Sequence, residues 1–202
     1  KEVGFKLNSL SDGFSLCALA AIAASTTLNI PSDVIVNALE GFYHVSRRGN
    51  IIRFYSFDNF IVDNSWNANP ASMNDAIVAF GRMNSSSKKM VVLGDMLELG
   101  DLEIDEHEKL LNSCIKEYAF LRDIVVIGKI FSSVAGRVNS DFEIAKFSNW
   151  CDSMDLITRR FLDGYSILIK GSRGMQLGKI VEALSNYVDV VFNGSLGISA
   201  YM

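Results

Sequence analysis

Three times in this chain an apolar run of strand length ends at or just before a glycine: residues 90–93 before Gly94, 124–127 before Gly128 and 167–170 before Gly171. Between the runs lie stretches with helical spacing, at 104–118 and near 150–161, and another follows at 177–187. Strands that alternate with helices of this length constrain the fold strongly, because parallel neighbours need long crossovers and the helix is the usual crossover. The expectation is an α/β fold, a Rossmann-like and mostly parallel sheet with flanking helices. Short strands at 51–57 and 60–62, joined by a tight Asp58-Asn59 turn, precede the first of these units. Asn69-Pro70 then breaks the chain into a helix at 72–82, whose Met73, Ile77 and Phe80 share one face.

The beginning of the chain reads differently. Residues 12–28 are Ala-rich and apolar almost all round, with Asp12 as a candidate N-cap, which predicts a buried helix. A second helix is expected from the Ser32-Asp33 cap to about Glu40, with Gly41 as its stop. Together they carry more apolar surface than they can cover between themselves, so the rest of their domain is expected upstream of Lys1. The polar stretch at 43–50 reads as a hinge. It divides the chain into 1–45, the helical end of one domain, and 46–202, the Rossmann-like domain.

A chain of 202 residues with 49% hydrophobic and 21% charged residues is long enough for one good core. A formal net charge of -4 excludes the basic footprint that nucleic acid or an anionic membrane surface requires. Any anion has to be met locally, by placed Lys, Arg or backbone N–H groups. Cys17, Cys114 and Cys151 have no metal-ligand or disulfide spacing and are expected to be reduced, mostly buried thiols. The apolar run at 14–22 is too short to span a membrane and has no cationic leader, so the expectation is a cytoplasmic protein.

Three loop segments follow apolar runs, where open parallel sheets place their ligands. In VDNSWNANPASM, residues 62–73, Asp63 and Asn64 sit at a strand's carboxyl end, Trp66 offers a flat ring, Asn67 and Asn69 offer neutral donors and acceptors, and Pro70 fixes the turn. This inventory suits a nucleoside, and it equally suits an Asx turn that starts a helix. VVLGDMLELGD, residues 91–101, places Asp95, Glu98 and Asp101 after a buried strand; these could serve acid–base or metal chemistry, or form a solvated acidic loop. His107 sits on the helix that follows, in line with Leu110 and Leu111. In LIKGSRGM, residues 168–175, Lys170 and Arg173 flank Gly171 and Ser172, which makes either an anion cradle or a tight turn with solvated cations. No G-x-G-x-x-G follows any expected strand, which argues against a dinucleotide binder.

Taken in this order, the segments resemble the Mur ligase family, and LGDMLELG with KGSRGM resembles its branch that adds D-alanyl-D-alanine to a UDP-N-acetylmuramoyl-tripeptide. The resemblance runs over roughly residues 10 to 185. It implies that Asp63, Asn64, Trp66, Asn67, Asn69 and Pro70 line a nucleotide, with Trp66 standing where Tyr is usual and Asn64 where an acidic residue is usual. Arg48, before Gly49, resembles an Arg that reaches toward nucleotide phosphates. Asp95, Glu98, Lys170, Ser172 and Arg173 are implied on the D-alanyl-D-alanine side. Gly13 stands where the family usually has His, and Cys17 where an Asn usually contacts adenine.

The resemblance also implies ATP and Mg2+ as cofactors of a full-length parent that acts through an acyl phosphate. The family's phosphate loop, G-x-x-x-x-G-K-[ST], does not occur in this sequence. The expectation is therefore a fragment whose metal ligands and catalytic residues lie in domains outside it, inert alone and monomeric. Two alternatives stay open: another Mur or folylpolyglutamate-type amide ligase, and a noncatalytic Rossmann-like nucleotide-binding module.

Overall fold

The computed structural model describes residues 4–9, 11–43, 45–54, 57–83, 85–140 and 144–192, with side chains as far as 190. In chain order the elements are α1 (Asp12–Thr27), α2 (Ser32–Glu40), β1 (Asn50–Arg53), β2 (Phe60–Asn64), α3 (Pro70–Arg82), β3 (Lys88–Gly94), α4 (Glu103–Lys116), β4 (Leu121–Ile127), α5 (Lys129–Ala135), β5 (Ile144–Phe147), α6 (Met154–Leu162), β6 (Tyr165–Lys170) and α7 (Gly178–Phe192). The strands form one sheet in the order β1-β2-β6-β3-β4-β5. β1 runs antiparallel to β2, and the remaining pairings are parallel. This is the mostly parallel α/β sheet expected from the alternating runs.

Because successive strand residues point to opposite faces, each strand feeds two cores. Val62, Val91, Leu93, Ile124 and Val126 meet Ile77 and Phe80 of α3, Leu111 of α4 and Phe131 of α5. Ile61, Val92, Val125, Ile167 and Ile169 meet Ile157 and Phe161 of α6 and Ile180 and Leu184 of α7. A sheet covered on both sides explains why its strands read as continuous apolar runs.

α5 and β5 were not foreseen. α5 has seven residues and β5 four, too few for a period to register, and β5 lies at the sheet's edge with Lys146 exposed. The tight Asp58-Asn59 turn is also corrected. β1 ends at Arg53, and Asn59 is a buried tie whose amide donates to the Phe161 and Tyr165 carbonyls, each at 2.8 Å. Part of the expected 51–57 strand, Tyr55 and Ser56, lies outside the described residues.

α1 is capped by Ser11, whose Oγ accepts from the Phe14 N–H, and Asp12 is the first helical residue. The expected burial of this helix is not found: Ala18 is its one buried residue, and Leu16 and Leu19 are 68% and 59% exposed. An all-round apolar helix needs partners on every side, and here α2 and α3 pack against it while Leu16 and Leu19 stay exposed. The cysteines are free, but only Cys114 is buried; Cys17 and Cys151 are exposed. Among the described residues no helix is long and apolar enough to cross a membrane.

Candidate functional site

From β2 the chain crosses through α3 to β3 and leaves the place between them for β6, which returns to it last. Such a switch in strand order opens a crevice at the carboxyl ends of the strands. The register brings all three loop segments there: Lys170 at the end of β6 lies beside Asn64 of β2 on one side and Leu93 of β3 on the other.

After β2 the loop is built from local hydrogen bonds. Asp63 is buried and accepts from the Ser65 Oγ at 2.6 Å and the Ser65 N–H at 3.1 Å. Burial pushes its carboxyl above the usual range, against the pull of Ser65 and the nearby Arg47. Asn69 caps α3, exchanging side-chain bonds with Ser72 in a capping box, and Pro70 opens the helix. The Asn67 carbonyl accepts from the Lys170 ammonium at 2.7 Å. Trp66 is half-buried, with the guanidiniums of Arg173 and Arg48 at 4.6 Å and 5.6 Å from its ring centre.

These groups line a cavity of about 1270 Å³. Its sheet side carries Asn64, Trp66, Asn67, Asn69 and Lys170; its other walls include Arg47, Arg48, Phe14, Cys17, Phe42 and Asp75. Lys170 is 2% exposed, and burial, with Arg48 nearby, brings its ammonium down to about 8 despite the attraction of Asp75. The two hinge arginines diverge. Arg47, at φ 64, reaches Glu182 on α7 at 2.5 Å, whereas Arg48 turns to Trp66.

Asp75 escaped the sequence reading. Its carboxylate sits at the start of α1, accepting from the Ser11 Oγ at 2.5 Å and the Asp12 N–H at 2.9 Å, and a Cβ on Gly13 would lie 3.2 Å from it. Two helical turns on, Arg82 pairs with Asp12 at 2.9 Å. The spacing of Asp75 and Arg82 places both on one face of α3, and that is the signal that could have marked them.

The loop after β3 is organised inward. Asp95 is 4% exposed, and its carboxylate accepts from the Ile130 and Phe131 N–H groups at 3.1 Å and 2.9 Å, capping α5 from a distance. Gly128 precedes α5 at φ +124, and a Cβ there would overlap the Asp95 carboxylate. A solvated acidic loop is therefore not what forms around Asp95. Ser172 is equally occupied: its N–H donates to the Asp95 carbonyl at 3.2 Å and its Oγ accepts from the Leu97 N–H at 2.9 Å. Glu98 and Arg173 remain exposed. Among the five residues expected together, Lys170 lines the cavity beside the β2 loop, and Arg173 reaches the Trp66 ring on the same cavity. Among the described residues no group of three or more His, Cys, Asp or Glu gathers in a way that could hold a metal.

No family model matches the chain. The UDP-N-acetylmuramoyl-tripeptide–D-alanyl-D-alanine ligase of Bacillus subtilis (strain 168) is 33% identical over 170 residues, 83% of this chain and 36% of that enzyme. The crystal structure of MurF from Acinetobacter baumannii superposes with a TM-score of 0.76 at 25% identity, over 87% of this chain and 38% of that one. MurF ligase from Thermotoga maritima in complex with ADP gives a TM-score of 0.72 at 23% identity, covering 93% of this chain and 40% of that one, a likeness of fold. The chain thus spans little more than a third of the length of the curated relative.

Proposed function

The chain belongs to the Mur ligase family, and from that premise we propose that it is the C-terminal part of an enzyme joining D-alanyl-D-alanine to a UDP-N-acetylmuramoyl-tripeptide. In this reading residues 1–45 end the central ATP-binding domain and 46–202 form the ligase domain of a cytoplasmic monomer. The observation that carries it is the convergence of the three loop segments on adjacent strands β2, β6 and β3, around a cavity floored by a buried lysine.

The cavity suits a nucleotide on its own chemistry. Lys170 is a buried cation whose described partner is a neutral carbonyl, and an anion would offset its desolvation. Trp66 and Phe14 offer ring surface, and Arg48 adds a second cation at the same mouth. When bound, ATP would supply the phosphoryl group that turns the tripeptide's terminal carboxylate into an acyl phosphate. The dipeptide's amine would then attack that carbonyl, forming the amide bond as phosphate leaves and the amine's protons pass to solvent.

This chain's residues would bind and orient rather than do the chemistry. Arg48, Asp63, Asn64, Trp66, Asn67, Asn69 and Pro70 would form the nucleotide wall. Asp95 and Ser172 would brace the acceptor side, where Glu98 and Arg173 would meet the dipeptide's ammonium and carboxylate. Lys170 lies between the two sides, in reach of phosphate oxygens. Mg2+ ligands and the phosphate loop would come from the remainder of the enzyme, and closing the domains would bring amine and acyl carbon together.

Calorimetric titration of the chain with D-alanyl-D-alanine and, separately, with ATP and Mg2+ tests the reading. Dipeptide binding that is lost in Arg173→Ala, without ATP-dependent phosphate release by the chain alone, is the expected result. Tight ATP binding with no response to the dipeptide would favour a self-contained nucleotide module instead.

A further inference from the structure

Among the described residues, one imidazole is left unused by the roles above. His107, on α4, is fully buried and meets Phe131 edge-on, with ring centres 4.4 Å apart. Its Nε2 lies 2.8 Å from the Met96 nitrogen. A backbone N–H can only donate, so Nε2 must be the bare acceptor and the ring's single proton sits on Nδ1, which donates to the Glu103 carbonyl at 2.5 Å. The next residue is held from the opposite side, Leu97 N–H donating to the Ser172 Oγ. Immediately beyond these two bonds, Leu97 and Glu98 emerge exposed, and Glu98 adopts a left-handed backbone at φ 67. A non-glycine residue is disfavoured there and keeps that conformation only when its flanks are held.

We infer that His107 is the positioning residue of the β3 loop: its neutral imidazole, through the Met96 N–H, holds Leu97 and Glu98 in the conformation that meets the acceptor dipeptide. The inference rests on the reading of residues 95–98 and 172–173 as the acceptor side. The imidazole faces Asp95, whose Oδ1 is 3.9 Å from Nε2, and Glu103 on its own helix; α5 presents the uncharged Phe131. Burial outweighs both carboxylates and lowers the ring's pKa below its ordinary 6.5. The neutral form therefore prevails at neutral pH. A proton added at Nε2 would face the Met96 N–H donor to donor, break that bond and turn the ring toward Asp95.

The test uses the 202-residue chain and amide hydrogen exchange at Met96 and Leu97, as protection relative to intrinsic rates, from about pH 8 down to the lowest pH at which β4 amides stay protected. Wild type should lose protection at these two amides as pH falls. His107→Gln, whose Oε1 can accept from Met96 but never takes the proton, should keep it at every pH. His107→Phe should lack it throughout while amides of β4 stay protected, and should bind D-alanyl-D-alanine about tenfold more weakly, the scale of one lost hydrogen bond, with ATP binding unchanged. Protection of Met96 in His107→Phe equal to wild type, or an unaltered pH response in His107→Gln, overturns the inference. Exchange needs no ligand, so it judges the hold by itself. A correct exchange pattern in a wild-type chain that ignores the dipeptide would instead sink the acceptor reading, and with it the loop's assigned task.

Discussion

The loops after β2 and β3 leave the sheet on either side of β6, yet they dispose of their polar groups in opposite ways. Around the β2 loop, an ammonium, a guanidinium and an indole ring line a cavity. In the β3 loop the groups nearest the strand are answered inside the protein, Asp95 by α5, Met96 by His107 and Leu97 by Ser172, while Glu98 and Asp101 stay exposed. The difference separates a wall built to receive from a brace built to hold. Acidic residues in a loop are no sign of ligand chemistry by themselves, because a carboxylate that caps a neighbouring helix is scaffold.

If that division is right, the largest effect on stability should come from the brace. Asp95→Ala would strand two N–H groups at the start of α5 and leave the space beside Gly128 unfilled, a loss of about 3 kcal/mol, read from the urea midpoint. A variant that unfolds like wild type would place Asp95 among the receiving groups after all.

Lys170→Met should do the reverse. It removes a buried cation, so the fold should hold or gain stability while ATP affinity drops about thirtyfold, the range of a charge-assisted hydrogen bond. The pH dependence has a defined sign. With its folded pKa at about 8, the ammonium is lost on raising pH through that value, and ATP binding should weaken there. The unfolded lysine holds its proton to about 10.4, so between these values the unfolded chain binds more protons and stability rises with pH. Lys170→Met should flatten both trends. Stability that falls with pH in this window would mean the ammonium is stabilised in the folded chain.

Much of this division was readable in the chain and part of it was not. The repeated apolar runs ending at glycine carried the sheet, because strands buried on both faces leave an unbroken signal. The Asn69 cap was legible as Asn-Pro before a periodic face. The inward turn of Asp95 was not, since its partners belong to α5, a seven-residue helix with too little pattern to be seen. Lys170 read as one of two cations flanking Gly171 and Ser172; that the register also sets it beside Asn64 was not readable, because strand order is not written in a single strand. α1 misled in the other direction: its composition predicts burial, and composition says nothing of whether the covering partner is at hand.

A smaller effect belongs to Trp66, where the two loops meet through Arg173. Each cation–ring contact at a partly exposed site is worth about 0.5–1 kcal/mol. Trp66→Ala should therefore cost only about fivefold in ATP affinity by that scale, and Trp66→Tyr almost nothing. Because Arg173 rests on the same ring, Trp66→Ala should also weaken the dipeptide slightly, which a purely nucleotide-facing Trp66 would not do.

The smallest expected change is that of Asn69→Asp, and it sharpens the contrast most. The Asn69 Oδ1 caps α3 at 2.8 Å from the Ser72 nitrogen, while the residue also lines the cavity. Asn69→Ala removes both contributions, about 1 kcal/mol of it from the cap. Asn69→Asp keeps the cap, and its charge suits a helix N-terminus, but it sets a carboxylate in a wall meant for phosphate. Unchanged or slightly higher stability with weaker ATP binding is therefore expected for Asn69→Asp, measured by thermal unfolding and calorimetry on the same sample. Equal ATP affinity in wild type and Asn69→Asp would leave Asn69 as a cap alone and shift the receiving wall toward Lys170 and Arg48.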